Sequence, residues 1–448
     1  MSYAEYIASK RREMGAVGFE PGPLHSSLFP HQLRIVEWAC RMGRCAIFAD
    51  TGLGKTRMQL EWSRQVMQHT GRDVLLLAPL AVGDQTLAEA AAMGIEAPTV
   101  TNYERLHQVD PAAFAGVVLD ESSILKAVDG KTRSRLTSTF AQTPYRLACT
   151  ATPAPNDHTE LGNHAAFLGV CTREEMLAEY FVHDGGSTQH WRLKGHARRD
   201  FWRWMASWAV MVRKPSDLGY DDGAYDLPPL RLHNLLIKHE AEAEEGMLFA
   251  LPARTLADQR RVRRDSLRDR CQAVADLVAT APDEQWLVWC ELNDESELLA
   301  QLIPGAVEIA GATAEDAKRS SMLGFAAGKV RVLVTKPKIA GFGMNWQSCA
   351  RAVFAAPTHS YEQWYQAVRR CWRFGQTRPV DVWMMQTSAD GAVTRNLQRK
   401  AQNAEVMAAE MAAMVRDHQM MALLGARPGS VDDHNMSMEV PSWIASTR

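Results

Sequence analysis

The chain has 448 residues, of which 46% are hydrophobic and 23% charged, with a formal net charge of −2. This length predicts two or three domains, and the balance is typical of a globular protein. The sequence has no apolar run long enough to cross a bilayer, and its N-terminus does not resemble a signal peptide. We therefore expect a cytoplasmic protein without a membrane partner. The near-zero charge excludes a uniformly basic binder of polyanions, and any nucleic-acid contact must come from local basic patches. The eight cysteines form no CxxC pair and no zinc spacing, which favours reduced thiols.

Short apolar runs alternate with helical stretches in two blocks of the chain. Runs that are apolar on both faces predict buried parallel strands joined by helices. They lie at 45–49, 74–78, 117–119 and 146–150, and again at 286–290, 306–310, 330–334, 352–356 and 380–385. The stretch 155–280 between the blocks is expected to be irregular, with a linker at 227–229. The segment 393–424 is expected to be helical, and the last residues form a polar tail.

The first apolar run leads into the sequence ADTGLGKT at 49–56, and a helical stretch follows it. Strand, glycine-rich turn and helix in this order are the context of a phosphate-binding loop. The glycines let backbone N–H groups turn inward, Lys55 would reach the β- and γ-phosphates, and the Thr56 hydroxyl would ligate Mg²⁺. The alternative is a chance glycine-rich turn. The residues expected to hold the nucleotide here are Thr51, Gly52, Leu53, Gly54, Lys55 and Thr56.

Two carboxylates, Asp120 and Glu121, directly follow the run at 117–119. The carboxyl end of a buried parallel strand lies at the sheet edge where ligands bind. There Asp120 can hold Mg²⁺, usually through water, while Glu121 takes a proton from the attacking water. An isolated Asp-Glu pair is as often a solvated strand end, but downstream of a phosphate loop it predicts a nucleoside triphosphatase.

The motifs and their order resemble superfamily 2 DEAD/DEAH-box helicases and ATPases of the Swi/Snf-related branch. The matching segments are FPHQ (29–32), ADTGLGKT (49–56), DESS (120–123), TAT (150–152), GFGMN (341–345) and QAVRRCWRFGQ (366–376). The resemblance covers roughly residues 28–386. It implies an α/β fold of two tandem RecA-like domains, with parallel sheets flanked by helices and an ATP cleft between them. We expect domains at 1–225, with a helical Trp/Arg-rich insertion near 160–225, and at 226–430, followed by a polar tail at 431–448.

The resemblance also implies roles for particular residues. Gln32 would read adenine, while Gly341 and Gln366 would contact the nucleotide from the second domain. Thr150 and Thr152 would couple hydrolysis to movement. Arg370 and Arg373 would be arginine fingers that stabilise charge on the γ-phosphoryl group. For the two arginines, a solvated basic helix face is the alternative interpretation.

Nucleic-acid contacts are expected from two motif segments and two basic islands. The motif residues are Thr101, Asn102, Tyr103, Lys336 and Lys338. The first island, 190–204, combines arginines with tryptophans, so its residues could contact phosphate or pack in the core. The second, 260–270, combines arginines with aspartates, so its residues could contact phosphate or form a salt-bridged surface helix. For Trp204 and Trp208, whose spacing is helical, core packing is favoured.

The chain departs from the family pattern in two places. The sequence DESS replaces the usual box at 120–123, and Lys336-Pro337-Lys338 stands where many relatives carry a hydroxyl pair. Compact members with these features are similar to those encoded by phages and prophages.

These patterns predict a DNA-dependent ATPase that uses ATP and Mg²⁺ to translocate on DNA or remodel bound complexes. Duplex DNA is favoured over single-stranded DNA, and RNA stays open. A strand-separating helicase is one alternative. An ATP-gated clamp that recruits a replication or defence protein is the other. The protein is expected to be a monomer.

Overall fold

The computed structural model describes residues 15–79, 82–126, 130–155, 157–183, 191–237, 264–340, 345–358, 360–387 and 390–423. These residues form two α/β domains, each built on a six-stranded sheet in which all neighbouring strands are parallel. The fold class expected from the sequence is therefore confirmed. No helix in these ranges is long and apolar enough to cross a membrane.

The first domain is built on a sheet with the strand order β3-β2-β4-β5-β1-β8. Its strands are β1 (Arg44–Ala49), β2 (Val74–Ala78), β3 (Thr99–Asn102), β4 (Gly116–Asp120), β5 (Tyr145–Cys149) and β8 (Ala209–Val212). Side chains of β1 alternate between two cores, with Ala46 and Phe48 on one face and Cys45 and Ile47 on the other. Such a sheet is covered on both faces, which explains why its central strands are continuous apolar runs.

Helices cover this sheet because parallel strands need crossover connections. They are α1 (Pro30–Met42), α2 (Lys55–Thr70), α3 (Gly83–Met93), α4 (Lys131–Thr139), α5 (Leu161–Leu168), α6 (Arg173–Tyr180) and α7 (Arg198–Ala206). Two short antiparallel strands, β6 (Phe181–His183) and β7 (Trp191–Leu193), pair between α6 and α7. Short 3₁₀ turns follow β3 at Tyr103–Gln108 and β4 at Ser122–Lys126.

The second domain is built on a sheet with the order β11-β12-β10-β13-β14-β9. Its strands are β9 (Leu230–Leu236), β10 (Trp286–Trp289), β11 (Ala306–Ile309), β12 (Val332–Thr335), β13 (Arg351–Phe354) and β14 (Val380–Gln386). Its helices are α8 (Leu267–Ala279), α9 (Asn293–Leu302), α10 (Glu315–Ala326), α11 (Pro337–Ala340), α12 (Tyr361–Val368) and α13 (Gly391–Leu423). Leu287 and Trp289 of β10 face one core, while Trp286 and Val288 face the other.

The nine strands expected from apolar runs are all present, each within about two residues of its expected bounds. The expectation that 155–280 is irregular was wrong, because β8 and β9 lie there and each is an edge strand of its sheet. In β9 the exposed Leu232 and Leu236 alternate with less exposed positions. An edge strand of this kind is not apolar on both faces and so lacks the signal that marked the central strands.

The helix expected at 393–424 is confirmed as α13, and it packs against both domains. Leu397 is buried in a core of the second domain, and Met407 is buried in a core of the first. An ion pair between Arg198 of α7 and Glu410 lies further along the same helix. The helix therefore connects the two cores.

Candidate nucleotide site

The phosphate loop occupies the turn between β1 and α2, as the motif predicts. Gly52 and Gly54 have φ angles of 96° and 78°, which favour glycine. A Cβ on Gly54 would lie 2.3 Å from Nε2 of Gln32, so a side chain at this position would displace the Gln32 amide. Lys55 Nζ donates to the Ala49 carbonyl at 2.8 Å and lies 3.4 Å from the carbonyl of Asp50. The ammonium group is thus held at the mouth of the loop.

Gln32 of α1 is buried against this loop. Its Nε2 donates to the Leu53 carbonyl at 2.9 Å, and its Oε1 accepts from the Phe29 backbone N–H at 2.9 Å. The expected adenine-reading residue therefore lies directly beside the phosphate loop. Within the described residues, the buried hydroxyl of Thr51 has no hydrogen-bond partner.

The acidic pair lies at the end of β4. Asp120 is buried and its Oδ1 accepts from Nε2 of Gln59 on α2 at 2.7 Å. Burial, and then the neighbouring Glu121 carboxylate, raise the pKa of Asp120 to about 6, although the Gln59 hydrogen bond opposes this shift. A buried carboxylate whose ionised form is destabilised gains from a bound cation. Gln59 is one of the site residues that the sequence analysis missed.

Glu121 turns the chain sharply at the edge of the sheet. Its φ of 52° makes it the only non-glycine residue with a positive φ in the described ranges. Such a conformation is strained, and strain of this kind concentrates at functional positions. Its Oε2 accepts from the Thr150 hydroxyl at 3.2 Å, and that hydroxyl also accepts from the Thr152 backbone N–H at 3.1 Å. The expected coupling residues are thus connected to the expected base.

The third box position, Ser122, has a partner that the sequence did not indicate. Its hydroxyl lies 3.1 Å from Nε2 of His164 on α5. Burial lowers the pKa of His164 to about 4, so this ring is neutral near pH 7. A buried hydroxyl–imidazole hydrogen bond thus connects the acidic box to α5.

Two arginines of the second domain lie at the first domain's site. Burial lowers the pKa of Arg370 to about 10, against the attraction of the Glu121 carboxylate. Burial and then the nearby Arg370 and Arg369 lower the pKa of Arg373 to about 9. Adjacent to them, the backbone nitrogen of Phe374 lies 3.2 Å from where a Cβ on Gly52 would stand. The structure therefore brings together two segments more than three hundred positions apart in sequence.

The second domain contributes further polar groups. Gln366 on α12 is buried, and its amide nitrogen and oxygen have no hydrogen-bond partner in the described part of the chain. Arg369 Nη2 donates to Oδ2 of Asp50 and, at 3.2 Å, to the Thr51 carbonyl. Asp50 and Arg369 were not among the expected site residues, although both lie inside the motifs at 49–56 and 366–376. Gly341 lies outside the described residues.

The residues present fit ATP and Mg²⁺. The glycine turn, Lys55, the buried Arg370 and the half-buried Arg373 suit a polyanion, and the destabilised Asp120 carboxylate together with the Thr56 hydroxyl suits a hard cation. The unpartnered amide of Gln366 could pair with a bound nucleotide.

The expected nucleic-acid residues lie at two separate places. In the first domain, Thr101 lies on the edge strand β3, and Asn102 caps the 3₁₀ turn that follows it. The Tyr103 hydroxyl donates a hydrogen bond to the Asp120 carbonyl at 2.6 Å. In the second, Lys336 and Lys338 line a cavity of about 280 Å³ at the carboxyl ends of β10 and β12. Lys336 donates to Asn293 there.

The two basic islands contain core residues. Trp204 and Trp208 are buried, which confirms the core packing favoured for them. Arg270 is also buried, where it pairs with Glu295 at 2.8 Å and donates to the Ala355 carbonyl at 2.7 Å. Arg270 is thus neither on a solvated surface nor in a position to contact phosphate. Arg260, Arg261 and Arg263 lie outside the described residues.

Comparison with known proteins gives two findings. Residues 269–375 match the family model of the helicase conserved C-terminal domain. Among solved structures, the chain is similar to the Sulfolobus solfataricus SWI2/SNF2 ATPase core in complex with dsDNA, at 15% identity, 90% coverage of this chain, 98% coverage of that chain and a TM-score of 0.39. No curated protein matches the sequence. The second domain is therefore similar to the C-terminal domain of helicases.

Proposed function

We propose that this helicase-like chain is a nucleic-acid-dependent ATPase of superfamily 2, in the Swi/Snf-related branch, that couples ATP hydrolysis to translocation on DNA or remodelling of bound complexes. The supporting observation is that Arg370, from the second domain, interacts electrostatically with Glu121 of the first. An ATP site that needs both domains can convert hydrolysis into relative domain movement.

In the proposed reaction, Glu121 takes a proton from water as the water oxygen attacks the γ-phosphorus. The bond from that phosphorus to the bridging oxygen breaks, which leaves ADP and phosphate. Lys55, Arg370 and Arg373 stabilise the negative charge that develops. Thr56 and Asp120 would hold Mg²⁺, which when bound neutralises charge on the β- and γ-phosphates.

A continuous set of contacts could transmit the state of this site to the second domain. Glu121 contacts Thr150, and Thr150 contacts the Thr152 backbone. The Thr152 hydroxyl lies 3.4 Å from Oε1 of Glu362 on α12. Release of the γ-phosphate next to Glu121 would thus disturb the contact between Thr152 and Glu362, which crosses the cleft.

The partner proposed is DNA, duplex rather than single-stranded, because the Swi/Snf-related motifs imply it. Lys336 and Lys338 are proposed phosphate contacts, as are Thr101, Asn102 and Tyr103 on the first domain. We also propose the domain boundaries given above, a cytoplasmic monomer, and kinship with compact phage or prophage members.

The decisive experiment measures ATP turnover without nucleic acid and with single-stranded DNA, duplex DNA and RNA in parallel. We expect DNA to stimulate turnover, Lys55→Ala to abolish it, and Glu121→Gln to keep ATP binding but lose hydrolysis. Lys329→Ala, which removes an exposed lysine of the second domain, is the matched control. If no polymer stimulates turnover at low salt, the motor is excluded and the clamp is favoured. Normal turnover by Lys55→Ala would show that the site is misassigned.

A further inference from the structure

One face of α12 carries several of the polar contacts between the domains. Glu362, Tyr365 and Arg369 are spaced three and four positions apart, so they project from the same side of the helix and the residue that follows it. All three contact residues of the first domain. We refer to these three residues as the docking face.

At one end of the docking face, Asp50 of the phosphate loop receives two hydrogen bonds. Tyr365 donates through its hydroxyl to Oδ1, and Arg369 donates through Nη2 to Oδ2. The same Nη2 reaches the Thr51 carbonyl at 3.2 Å. The Arg369 side chain is only 5% exposed, and its guanidinium also lies over the Trp372 ring at 4.8 Å. Protein groups thus hold Nη2 and the face of this guanidinium, while its Nε has no hydrogen-bond partner among the described residues.

At the other end of the docking face, the second domain supplies the carboxylate and the first domain supplies the cation. Glu362 of the second domain pairs with Lys126, which closes the 3₁₀ turn after the acidic box, and its Oε1 lies 3.4 Å from the Thr152 hydroxyl. Each domain thus offers one carboxylate to cations or donors of the other. Such reciprocal charges define the register in which the domains can close, because a shifted register would leave a buried charge unpaired.

Asp50 lies beside a cluster of three arginines and pairs with one of them. Arg369, Arg370 and Arg373 lie close enough for the first two to lower the pKa of the third. Burial alone would lower the pKa of Arg369 too, but the Asp50 carboxylate raises it. Asp50 therefore balances the charge of Arg369 within this cluster.

We propose that Asp50 and Arg369 are positioning residues, whose ion pair docks α12 on the phosphate loop and so places Arg370 and Arg373 for catalysis. Arg369 is in this view not a third phosphate ligand. The inference rests on the proposed ATPase function, because positioning has meaning only if the two arginines act on ATP.

The test compares Asp50→Ala, Arg369→Ala and the charge swap Asp50→Arg with Arg369→Asp. Arg378→Ala is the matched control, since Arg378 pairs with Glu284 within the second domain. Small-angle X-ray scattering gives the radius of gyration with and without a non-hydrolysable ATP analogue. Steady-state kinetics give kcat and KM for ATP, and circular dichroism shows whether each variant is folded.

We expect both single variants to be more extended than the wild type with the analogue bound, and to lose about tenfold or more in kcat. The swap should recover compactness and most of kcat, and Arg378→Ala should change neither quantity. If a single variant does not fold, the swap and Arg369→Lys, which keeps the charge, replace it. In Arg369→Lys we expect compactness to persist with a smaller loss of kcat.

Two results would overturn the proposal. One is an unchanged radius of gyration in every folded variant, with and without the analogue. The other is a loss of kcat in Arg369→Ala that Asp50→Ala does not share and the swap does not rescue, which would make Arg369 a phosphate ligand. The proposed function fails separately, if DNA does not stimulate wild-type turnover while compactness still depends on the pair.

Discussion

The buried carboxyl of Asp120 shows how one hydrogen bond can adjust a proposed metal ligand. Burial and the adjacent Glu121 raise its pKa to about 6, and the Gln59 amide opposes this rise by stabilising the ionised form. A carboxyl group with a raised pKa is protonated below that value, and only the carboxylate can hold Mg²⁺. Binding of the cation should thus weaken about tenfold for each pH unit below 6.

Replacing Gln59 with methionine should move this acid limit upward. Without the amide donor the pKa of Asp120 rises further, so the pH at which Mg²⁺-dependent turnover is half-maximal should increase. Titrating Mg²⁺ against turnover between about pH 5 and pH 8 measures this shift. Gln68→Met, at an exposed position of the same helix, is the control. An acid limit equal to that of the wild type would mean that Asp120 does not bind the metal.

Arg370→Lys and Arg373→Lys should each lower turnover on the order of a thousandfold while leaving ATP affinity nearly unchanged. A lysine has no planar fork to grip two phosphate oxygens. Burial lowers the pKa of Arg370 to about 10 and the pKa of Arg373 to about 9. The same burial would lower the pKa of a lysine at either position from its usual value near 10.4, so the lysine would lose part of its charge. DNA-stimulated turnover and nucleotide titration, with Arg378→Lys as control, measure both quantities. Unchanged turnover would remove both arginines from the mechanism.

At the scale of elements, α13 connects the domains by packing against both. It has 33 residues, a length of about 50 Å, which is enough to reach from one core to the other. Leu397 belongs to a core of the second domain and Met407 to a core of the first. Such a helix would limit how far the cleft can open.

Met407→Ala should cost about 2 kcal/mol of folding free energy, because it removes a buried side chain from the first domain's core. Val406→Ala, at the neighbouring position that is 49% exposed, should change stability by less than about 0.5 kcal/mol. Urea unfolding of both variants measures the difference. Equal stabilities would indicate that α13 is not docked on the first domain in solution.

At the scale of the whole molecule, a net charge of −2 means that affinity for DNA must come from local cations. Phosphate contacts release counterions, so the DNA concentration that half-stimulates turnover should rise steeply with salt, by at least about tenfold between 50 and 200 mM. Lys336→Ala and Lys338→Ala should each reduce, by about one, the slope of log DNA affinity plotted against log salt concentration. Lys329→Ala should not alter it. A dependence on salt that is flat would contradict binding through phosphates.

The sequence by itself determined the two α/β blocks and identified the residues of the proposed nucleotide site. Central strands buried on both faces have to be apolar throughout, so all eight were recognisable without neighbours; the ninth expected strand, β11, lies at an edge and is only half-buried. A phosphate loop is likewise local, because its turn, lysine and helix start lie within one short segment at 49–56. The edge strands β3 and β9 lacked this signal and were missed, and so was the edge strand β8, although its four residues are apolar and buried.

Only the tertiary structure decided which side chains act together across the cleft. Asp50 and Arg369 lie far apart in sequence, and nothing local distinguishes an arginine that pairs with the protein from one that faces a ligand. The same holds for Gln59 beside Asp120 and for His164 beside Ser122. Such pairs arise where separate elements meet, and the burial and partner charges that shift their pKa values exist only once the domains have packed together.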